Sequence, residues 1–418
     1  MQATPRPDTC EIAVIGAGIV GLSIALRLAD QGYDVTLLAP IDDESGASYG
    51  NAGVIADYAV MPVGTPDVLR KLPSLLFDRD SPLSIRKAAI LSLAPWLLRF
   101  TRECLPARAA DNARAIAALL APTPAAWRAF AGRIGGLDLL KPKGSLYLFE
   151  TPREQRNADF SLSRALGVNV EIIARAELGQ LEPGLPAHIG HGAAFFPDTV
   201  TLQDPRAMLR LLRAAVTDAG VRHIPAHITG LARDGAQGHV TLSGADIRLH
   251  ARKVILAAGA WSRDLARQAG DKVPLDTERG YHLEYDMADQ PLTRQMTPVS
   301  RGFYFCPMAG RLRVAGTVEL GGLNAPAAPN RWAVMERGAR AIFPDLPAPD
   351  RRWMGCRPSL PDSRPVIGLS GQGADVIHAY GHGHLGLTLA PVTAQIVADL
   401  VAGRMPAMDI APYRPGRF

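Results

Sequence analysis

Residues 11–40, EIAVIGAGIVGLSIALRLADQGYDVTLLAP, decide the fold of this chain. A strand-like run ends in the motif Gly16-x-Gly18-x-x-Gly21, and an apolar helical face and a second strand follow it. Gly16 permits a tight turn, Gly18 lets the backbone approach a pyrophosphate, and Gly21 lets the helix pack closely on the strand. Because the start of the helix also offers N–H groups to an anion, the segment predicts a dinucleotide site.

The end of the second strand departs from the usual dinucleotide-binding pattern. Ala39 stands where an acidic residue normally holds the adenosine ribose. Asp42 or Asp43 could reach the ribose instead, or both could belong to a solvated loop. Residues 44–56, ESGASYGNAGVIA, are mostly small and let the backbone pass close to a ligand. Their position favours a ligand contact over the alternative of a flexible connection.

Length and composition set broad limits on the class of protein. The chain has 418 residues, which exceeds one ordinary hydrophobic core, so we expect two domains. The net charge of +5 is spread along the chain without a basic block, which does not indicate nucleic-acid binding. The start of the chain lacks an apolar leader, and no window has the length of a spanning helix. We therefore expect a cytoplasmic protein.

Two features limit the redox chemistry that the chain could carry. Cys10, Cys104, Cys306 and Cys356 are far apart and form no CxxC pair, which argues against a zinc ribbon, an iron–sulfur site or a disulfide framework. The chain also has no second GxGxxG motif, whereas enzymes reduced by NAD(P)H usually need a second nucleotide site. We therefore expect the protein to take electrons from its own substrate.

Two helical segments carry further predictions. Residues 86–100, RKAAILSLAPWLLRF, are apolar in the middle and basic at both ends, with Trp96 at the centre. The segment is too short to span a bilayer and could lie in the membrane interface, or it could be a helix, broken at Pro95, that packs on its own domain. Residues 204–219 form a strongly amphipathic pattern with Gln203 and Asp204 as capping candidates.

Several segments, in order along nearly the whole chain, resemble the FAD-dependent D-amino acid oxidase superfamily, and most closely its bacterial D-amino acid dehydrogenase branch. The segments are VIGAGIVGLSIALRLADQGYDVTLL at 14–38, SYGNAG at 48–53, WLLRFTREC at 96–104, VILAAGAWSRDL at 254–265, RGYHLEY at 279–285, GCRPSLPDSRPVIG at 355–368 and GHGHLGLTLAP at 381–391.

The resemblance implies an α/β fold in which a Rossmann-type FAD-binding domain is joined to a discontinuous antiparallel-sheet (α+β) substrate domain. On this basis the FAD-binding domain would comprise 8–58, 200–272 and 352–418. The substrate-binding domain would comprise 59–199 and 273–351. In this family the flavin lies at the junction of the two domains.

The resemblance also implies which residues contact FAD. A helix that begins near His384 would direct its positive end at the pyrimidine edge of the flavin, through the N–H groups of Leu385 and Gly386, and would favour the reduced anionic flavin. The full set of cofactor-binding candidates is Gly16, Gly18, Ile19, Val20, Gly21, Ser48, Asn51, Ala52, Gly53, Ile228, Ala258, Gly259, Trp261, Gly383, Leu385, Gly386, Leu387 and Thr388.

The catalytic candidates are carried over in the same way. Arg357 of the G-x-R-P segment would grip the substrate carboxylate, a task that suits a planar guanidinium, although a surface salt bridge is the alternative. Tyr281 is the candidate substrate tyrosine, with Tyr304 as its rival and a core position as its alternative. Strand alternation puts Tyr281 and His282 on opposite faces. His384 is the third candidate catalytic residue.

No metal is predicted. His382 and His384 lack companion ligands, and both could simply be packing residues. Covalent attachment of FAD through Cys306 or Cys356 is not expected.

The implied activity is oxidative deamination of a D-amino acid, in which a hydride passes from Cα to flavin N5 and the imine hydrolyses to a 2-oxo acid. His384 and Leu387 depart from the GHGTLGWT pattern of the dehydrogenase branch. This departure leaves D-hydroxyproline or D-proline dehydrogenase and glycine- or sarcosine-type amine oxidase as alternatives. A 2-hydroxy-acid dehydrogenase, which needs a base such as His384 or His282, and a non-catalytic FAD-carrying subunit are further alternatives. The electron acceptor would be quinone or O2, and residues 86–100 could contact a membrane peripherally.

Overall fold

The computed structural model describes residues 8–41, 46–70, 81, 83–234 and 238–418. The chain divides into two compact units, each assembled from separate stretches of sequence. Unit 1 comprises Met1–Asp43, Leu209–Asp276 and Pro358–Phe418, and unit 2 comprises Glu44–Met208 and Thr277–Arg357. These bounds differ from the predicted domain ranges at 44–58, 200–208, 273–276 and 352–357. The assignment of FAD to one domain and substrate to the other stays a prediction.

The strands of the described chain are β1 (Asp8–Ile15), β2 (Val35–Leu38), β3 (Val54–Ile55), β4 (Leu83–Ile85), β5 (Leu140–Lys141), β6 (Ser145–Phe149), β7 (Glu171–Ala174), β8 (Gly192–Phe196), β9 (Val200–Leu202), β10 (Arg222–Ile224), β11 (Gly230–Asp234), β12 (His239–Ser243), β13 (Arg248–Leu256), β14 (Asp276–Asp286), β15 (Gln295–Pro298), β16 (Phe303–Met308), β17 (Arg311–Leu320), β18 (Arg351–Ser359), β19 (Val366–Ser370) and β20 (Gly373–Tyr380). They alternate with helices α1 (Ile19–Asp30), α2 (Ile90–Glu103), α3 (Pro106–Leu120), α4 (Thr123–Arg133), α5 (Pro152–Asn157), α6 (Ser161–Ala165), α7 (Arg175–Leu181), α8 (Pro205–Asp218), α9 (Ser262–Gln268), α10 (Pro329–Arg340) and α11 (Gly386–Val401). Short 3-10 turns lie at Lys87–Ala89, Leu137–Leu139, Gly259–Trp261, Ala411–Tyr413 and Pro415–Arg417.

Unit 1 is built on an eight-stranded sheet with the order β10-β2-β1-β13-β12-β11, and β20 and β19 extend it from β13. The pairings of β1 with β2, β13 with β1 and β20 with β13 are parallel. Parallel strands covered on both faces need continuous apolar runs, and Val254, Ile255 and Leu256 of β13 are fully buried. The predicted βαβ opening is therefore confirmed.

Unit 2 contains a nine-stranded sheet with the order β18-β14-β17-β16-β15-β6-β8-β7, to which β4 adds at β17. Its central pairings, β14 with β17 and β17 with β16, are antiparallel. In the β14–β17 register, Glu284 lies directly opposite Arg313, and the register shifts at Gly280. A three-stranded sheet of β3, β9 and β5 completes the unit.

Helix α2 corrects one prediction from the sequence. It runs through Pro95 to Glu103, so the helix is not broken there. A proline removes a single helical hydrogen bond, and the loss is offset here because Leu93, Trp96 and Phe100 are buried against Leu320. The packing of α2 on its own unit is confirmed by this buried face.

Helix α8 begins where its capping residue predicts. Asp204 accepts a hydrogen bond from the backbone N–H of Arg206 through Oδ1, at 2.9 Å, and its carbonyl accepts the N–H of Met208. Gly220, two residues after the last helical residue, has φ +80 and stops the helix. Within the described part of the chain, no helix has the length and apolarity needed to cross a membrane.

Candidate functional site

The turn between β1 and α1 can close only with glycine at two positions. A Cβ at Gly16 would lie 2.4 Å from the carbonyl oxygen of Ala257, and one at Gly21 would lie 1.9 Å from the oxygen of Gly16. Gly16 also has φ +111, which disfavours other residues. Gly18 is the N-cap of α1 and, having no side chain, cannot cap the helix. The helix therefore starts with N–H groups that no side chain caps, which suits an anionic ligand.

The other cofactor candidates of unit 1 lie at three places. Ile19 and Val20 are buried in the first turn of α1, and Ile228 is buried in the core beside the sheet. Ala258 precedes the 3-10 turn Gly259–Trp261, in which Gly259 has φ +56 and Trp261 is 46% exposed. Because a Cβ at Gly16 would also lie 2.9 Å from Ala258 Cα, the structure brings this turn next to the βα turn.

The glycine–histidine segment forms the start of α11, with one correction. The helix begins at Gly386, and the N–H of Leu385 donates to the carbonyl of His382 at 2.8 Å. That N–H is used inside the turn, so it cannot point out of the helix start as predicted. Gly383 has φ +54 and donates its N–H to Pro358. The side chains of Leu387 and Thr388 are buried in the first turn of α11.

The three histidine predictions have separate outcomes. His382 is buried, its Nε2 is 3.0 Å from Thr393 Oγ1, and burial lowers its pKa to about 3, so it is a packing residue. His384 is exposed. His282 is buried and lies on the face of β14 opposite Tyr281, as strand alternation predicts.

The candidate loop 48–53 belongs to unit 2 and is held by its own side chains. Asn51 donates through Nδ2 to the carbonyl of Ser48 and accepts the N–H of Gly53 at 2.6 Å. Gly53 has φ +69, and Ala52 packs against the cluster around Tyr58. Asp42 and Asp43, the substitutes proposed for the acidic residue missing at Ala39, lie outside the described residues.

Arg357 occupies a recess that two irregularities of the sheet create. A Cβ at Gly280, where the β14 register shifts, would lie 2.3 Å from the guanidinium carbon of Arg357, so only glycine leaves room for that group. Arg357 Nη1 donates to the carbonyl of Thr317 at 3.2 Å. Thr317 has φ +53, a left-handed conformation that is strained for a β-branched residue and typical of functional sites.

Removal from water shifts the pKa values of Arg357 and the tyrosines near it. Burial lowers the pKa of Arg357, while Glu278 and Tyr304 oppose the shift. The side chains of Tyr58 and Tyr304 both lie close enough to Tyr147 to affect the pKa of its hydroxyl. Burial raises the pKa of all three tyrosines, so their hydroxyls stay protonated at physiological pH. A guanidinium beside neutral hydroxyl donors suits a carboxylate ligand.

Tyr281 is fully engaged inside unit 2. It is 1% exposed, its hydroxyl donates to Glu319 Oε2 at 2.6 Å, and the hydroxyl oxygen of Tyr281 accepts the N–H of Ala328 at 3.1 Å. Its ring meets Trp332 edge-on. These contacts favour the alternative of a core tyrosine and make Tyr304 the better candidate for a substrate contact.

The sequence analysis missed two clusters because each depends on strand register. One is the cluster of Tyr58, Tyr147 and Tyr304, which three separate segments contribute. The other is Glu284 with the arginines around it, of which Arg313 is the nearest at 2.6 Å. The alternating charges of RGYHLEYD and RLRV were a usable signal, since inward-facing charges on strands must find partners. Their pairing could not be derived without the register.

A family model described as FAD dependent oxidoreductase matches residues 11–400. The chain belongs to this DAO family. A D-amino-acid oxidase of Bradyrhizobium diazoefficiens is 33% identical over 99% of this chain and 100% of the relative. A D-amino acid dehydrogenase of Rhodopseudomonas palustris is 28% identical, with 98% of each chain covered. The DAO family membership establishes an FAD-dependent oxidoreductase.

Solved structures with the same fold match nearly the whole chain. Glycine oxidase from Geobacillus kaustophilus has a TM-score of 0.76 at 22% identity, with 98% of this chain and 99% of that chain covered. L-proline dehydrogenase from P. horikoshii has a TM-score of 0.73 at 19% identity, covering 99% and 98%. The predicted fold class, an α/β fold with a Rossmann-type domain and a discontinuous antiparallel-sheet (α+β) domain, is confirmed.

The residues of the βα turn fit FAD. The cradle that a Cβ at Gly16 or Gly21 would fill leaves the backbone bare at the start of α1, where the pyrophosphate of a dinucleotide needs close approach. The carbonyl of Ala39 accepts a hydrogen bond from Ala226 N and lies 3.0 Å from His223 Nε2. The backbone that follows β2 is thereby fixed without an acidic side chain at that position.

Proposed function

We propose that the protein oxidises a D-amino acid to the corresponding imine, which water converts to a 2-oxo acid. The observation that carries this proposal is Arg357, a cation removed from water and set in a recess that Gly280 and Thr317 open. Desolvation strengthens its attraction for an anion, and a planar guanidinium binds a carboxylate through two parallel hydrogen bonds. The names of the relatives support an amino-acid substrate.

The residues of the recess have distinct tasks in this proposal. Arg357 binds the substrate carboxylate and thereby fixes the orientation of Cα. Tyr304, whose hydroxyl stays protonated because burial raises its pKa, donates a hydrogen bond to the same carboxylate. FAD, when bound, supplies the acceptor for the two electrons and the hydrogen that leave Cα. The glycine turn at Gly16 to Gly21, loop 48–53 and the start of α11 would hold FAD.

No side-chain base is assigned. The amine enters neutral, and positioning supplies the rate of the oxidation step. A 2-hydroxy-acid substrate would need a base for its hydroxyl proton, and two histidines were candidates. His282 is buried, with its pKa lowered to about 3 chiefly by burial, and it lies against Gly50, which does not suit that task. His384 is the remaining candidate for a hydroxy-acid enzyme.

Anaerobic reduction of the flavin tests the proposal. The purified holoenzyme is mixed with D- and L-amino acids, D-proline, hydroxyproline isomers, glycine, sarcosine and 2-hydroxy acids, and the loss of visible flavin absorbance is followed. Rapid bleaching by a D-amino or D-imino acid supports the proposal, and the fastest compound defines the substrate class. Bleaching by hydroxy acids alone, or by none of the compounds, would replace it with a hydroxy-acid dehydrogenase or a non-catalytic FAD-carrying subunit.

The electron acceptor is proposed to be quinone or O2. Stirring the reduced enzyme with a soluble quinone analogue without oxygen, and separately with O2 without quinone, distinguishes a dehydrogenase from an oxidase. The acceptor that restores flavin absorbance faster is the physiological class.

A quinone acceptor would place the protein at the inner face of the cell membrane, and helix α2 offers a surface for that contact. Leu91 is 89% exposed and Leu98, seven residues later on the same face, is 74% exposed. Exposed Lys87, Arg99 and Arg102 flank them, which suits an anionic lipid surface. Trp96, the predicted interface anchor, is buried in the unit instead.

Sedimentation with lipid vesicles tests this surface. Binding to vesicles with anionic headgroups, and its loss in Leu91→Gln/Leu98→Gln, would support the contact. Equal binding of the variant, or no binding by the native protein, would remove α2 from consideration.

A further inference from the structure

The large sheet of unit 2 holds loop 48–53 by three consecutive backbone carbonyls. Arg313 donates through Nη1 to the oxygens of Tyr49, at 3.3 Å, and of Asn51. Nδ1 of His282 lies 3.2 Å from the oxygen of Gly50. Because a carbonyl oxygen only accepts hydrogen bonds, His282 must carry its hydrogen on Nδ1. The two side chains therefore fix the backbone path of the loop from 49 to 51.

Ring contacts reinforce the same three residues. A Cβ at Gly50 would lie 2.1 Å from the ring of Trp353, so the loop backbone rests directly on that indole. Trp353 in turn stacks on His282, with ring centroids 4.9 Å apart and planes 16° from parallel. The guanidinium of Arg206 lies over the ring of Tyr49 at 4.5 Å. These contacts hold the backbone of the loop in place within unit 2.

Glu284 pairs with the arginines that lie around this loop. It is fully buried and pairs with Arg313 at 2.6 Å, with Arg206 and Arg351 at 2.8 Å each, and with Arg311 at 3.2 Å. The arginines hold the pKa of this carboxyl well below its usual range even though burial opposes the shift. Buried ion networks add little stability relative to apolar packing, and one of their uses is to fix a single arrangement of the groups they hold.

We infer that His282, which stacks on Trp353, and Arg313, which pairs with Glu284, are positioning residues for FAD, which fix the carbonyls of 49–51 so that loop 48–53 keeps its cofactor-binding conformation. The inference rests on the proposed contact of this loop with FAD. It assigns to His282 a task other than that of a catalytic base.

Two substitutions of His282 separate the hydrogen bond from the packing. His282→Asn keeps a neutral N–H donor near the Nδ1 position, and His282→Phe keeps the stacking on Trp353 but has no donor. The rate at which FAD leaves the diluted holoenzyme is followed by the appearance of free flavin fluorescence. We expect release about tenfold faster in His282→Phe, the effect of one lost buried hydrogen bond, and near the native rate in His282→Asn.

Arg313→Lys tests the second carbonyl clamp, and a distant ion pair supplies the matched control. Lysine keeps the charge opposite Glu284, but its single compact ammonium lacks the planar fork through which Arg313 contacts Glu284 and two carbonyls together, so we expect FAD release to be about tenfold faster here too. The control is Glu182→Gln, because Glu182 is equally buried in unit 2 and pairs with Arg294 at 2.7 Å, without a contact to loop 48–53. It should lower the melting temperature and leave FAD release unchanged.

Visible circular dichroism of the bound flavin adds a readout that general stability does not move. The inference predicts an altered flavin spectrum in His282→Phe and Arg313→Lys, and the native spectrum in His282→Asn and Glu182→Gln. It is overturned if His282→Phe and Arg313→Lys release FAD at the native rate, or if Glu182→Gln speeds release equally. Because no substrate enters these measurements, their failure is distinguishable from a failure of the proposed D-amino acid oxidation.

Discussion

Arg313 and Arg357 are both buried arginines of the same unit, yet their surroundings differ. Arg313 faces a fully buried carboxylate, that of Glu284, and its remaining donors go to loop carbonyls. Arg357 donates to the carbonyl of Thr317 and lies beside the hydroxyl of Tyr304 in a recess that a glycine keeps open. The difference teaches that the guanidinium of Arg313 is engaged beside Glu284 in holding backbone, whereas that of Arg357, near the charge of Glu278 and the hydroxyl of Tyr304, lies where a glycine leaves room for it.

The sharpest way to break the comparison is to neutralise Arg357. Arg357→Met removes the charge that binds the substrate carboxylate and keeps most of the apolar volume. We expect kcat/KM for D-amino acids to fall about 1000-fold, since the substrate charge loses a desolvated partner. FAD content should stay native. A fall of less than about threefold would mean that Arg357 does not touch the substrate.

Gly280→Ala tests whether the recess, and not only the charge, matters. The added Cβ would lie 2.3 Å from the guanidinium carbon and must displace it. We expect kcat/KM to fall about 100-fold, because a displacement near 1 Å misplaces the substrate. The control is Gly132→Ala in α4, where a Cβ meets only Leu137 Cδ1 at 3.9 Å. Native kinetics in Gly280→Ala would remove the recess from the account.

His282, which holds the same loop as Arg313, predicts a pH dependence of stability. Burial, followed by the charge of Arg313, lowers the pKa of His282 to about 3, against about 6.5 in an unfolded chain. Its contribution to stability is complete above about pH 6.5 and is lost as the pH falls towards 3, because only the unfolded state takes up the proton.

Between pH 7 and pH 5 this group should cost the native protein about 2 kcal/mol of unfolding free energy. His282→Asn should lose that much less over the same interval, as measured by urea unfolding at each pH. His382 has a similarly lowered pKa but is present in both proteins, so its effect cancels. An identical loss in the two proteins would contradict a neutral buried His282.

The smallest expected effect distinguishes Tyr304 from Tyr281 as the tyrosine that contacts the substrate. Tyr304→Phe should lower kcat/KM about tenfold by removing one donor to the substrate carboxylate. Tyr281→Phe should lower the melting temperature, because Glu319 loses a buried hydrogen bond, and should leave KM within about twofold of native. The reverse pattern would return the substrate role to Tyr281.

The sequence analysis predicted the parts of the molecule that short-range patterns encode. The βαβ opening and the cap at Asp204 follow from glycine spacing and side-chain capping. It predicted a broken helix at Pro95 wrongly, because the burial of Trp96 and Phe100 outweighs one lost hydrogen bond. It also predicted that the N–H of Leu385 points out of the helix start, whereas this N–H donates to the carbonyl of His382.

The site was predictable only as far as single motifs reach. Arg357 and the glycine turn are marked by motifs that the resemblance identifies. The tyrosine cluster at Tyr304 and the arginines around Glu284 depend on which strands pair and in which register, and neither can be derived from a single short motif. Positioning residues that act through backbone carbonyls also leave no motif, since a carbonyl is the same in every residue.

The most direct test of the account is anaerobic reduction of the flavin by D-alanine in the native enzyme, in Arg357→Met and in Arg313→Lys, each saturated with FAD. The account predicts that D-alanine bleaches the native enzyme rapidly, that L-alanine does not, that Arg357→Met requires far more D-alanine, and that Arg313→Lys bleaches at a near-native rate once FAD is bound. Bleaching of Arg357→Met at native D-alanine concentrations would contradict the central claim that Arg357 binds the substrate carboxylate.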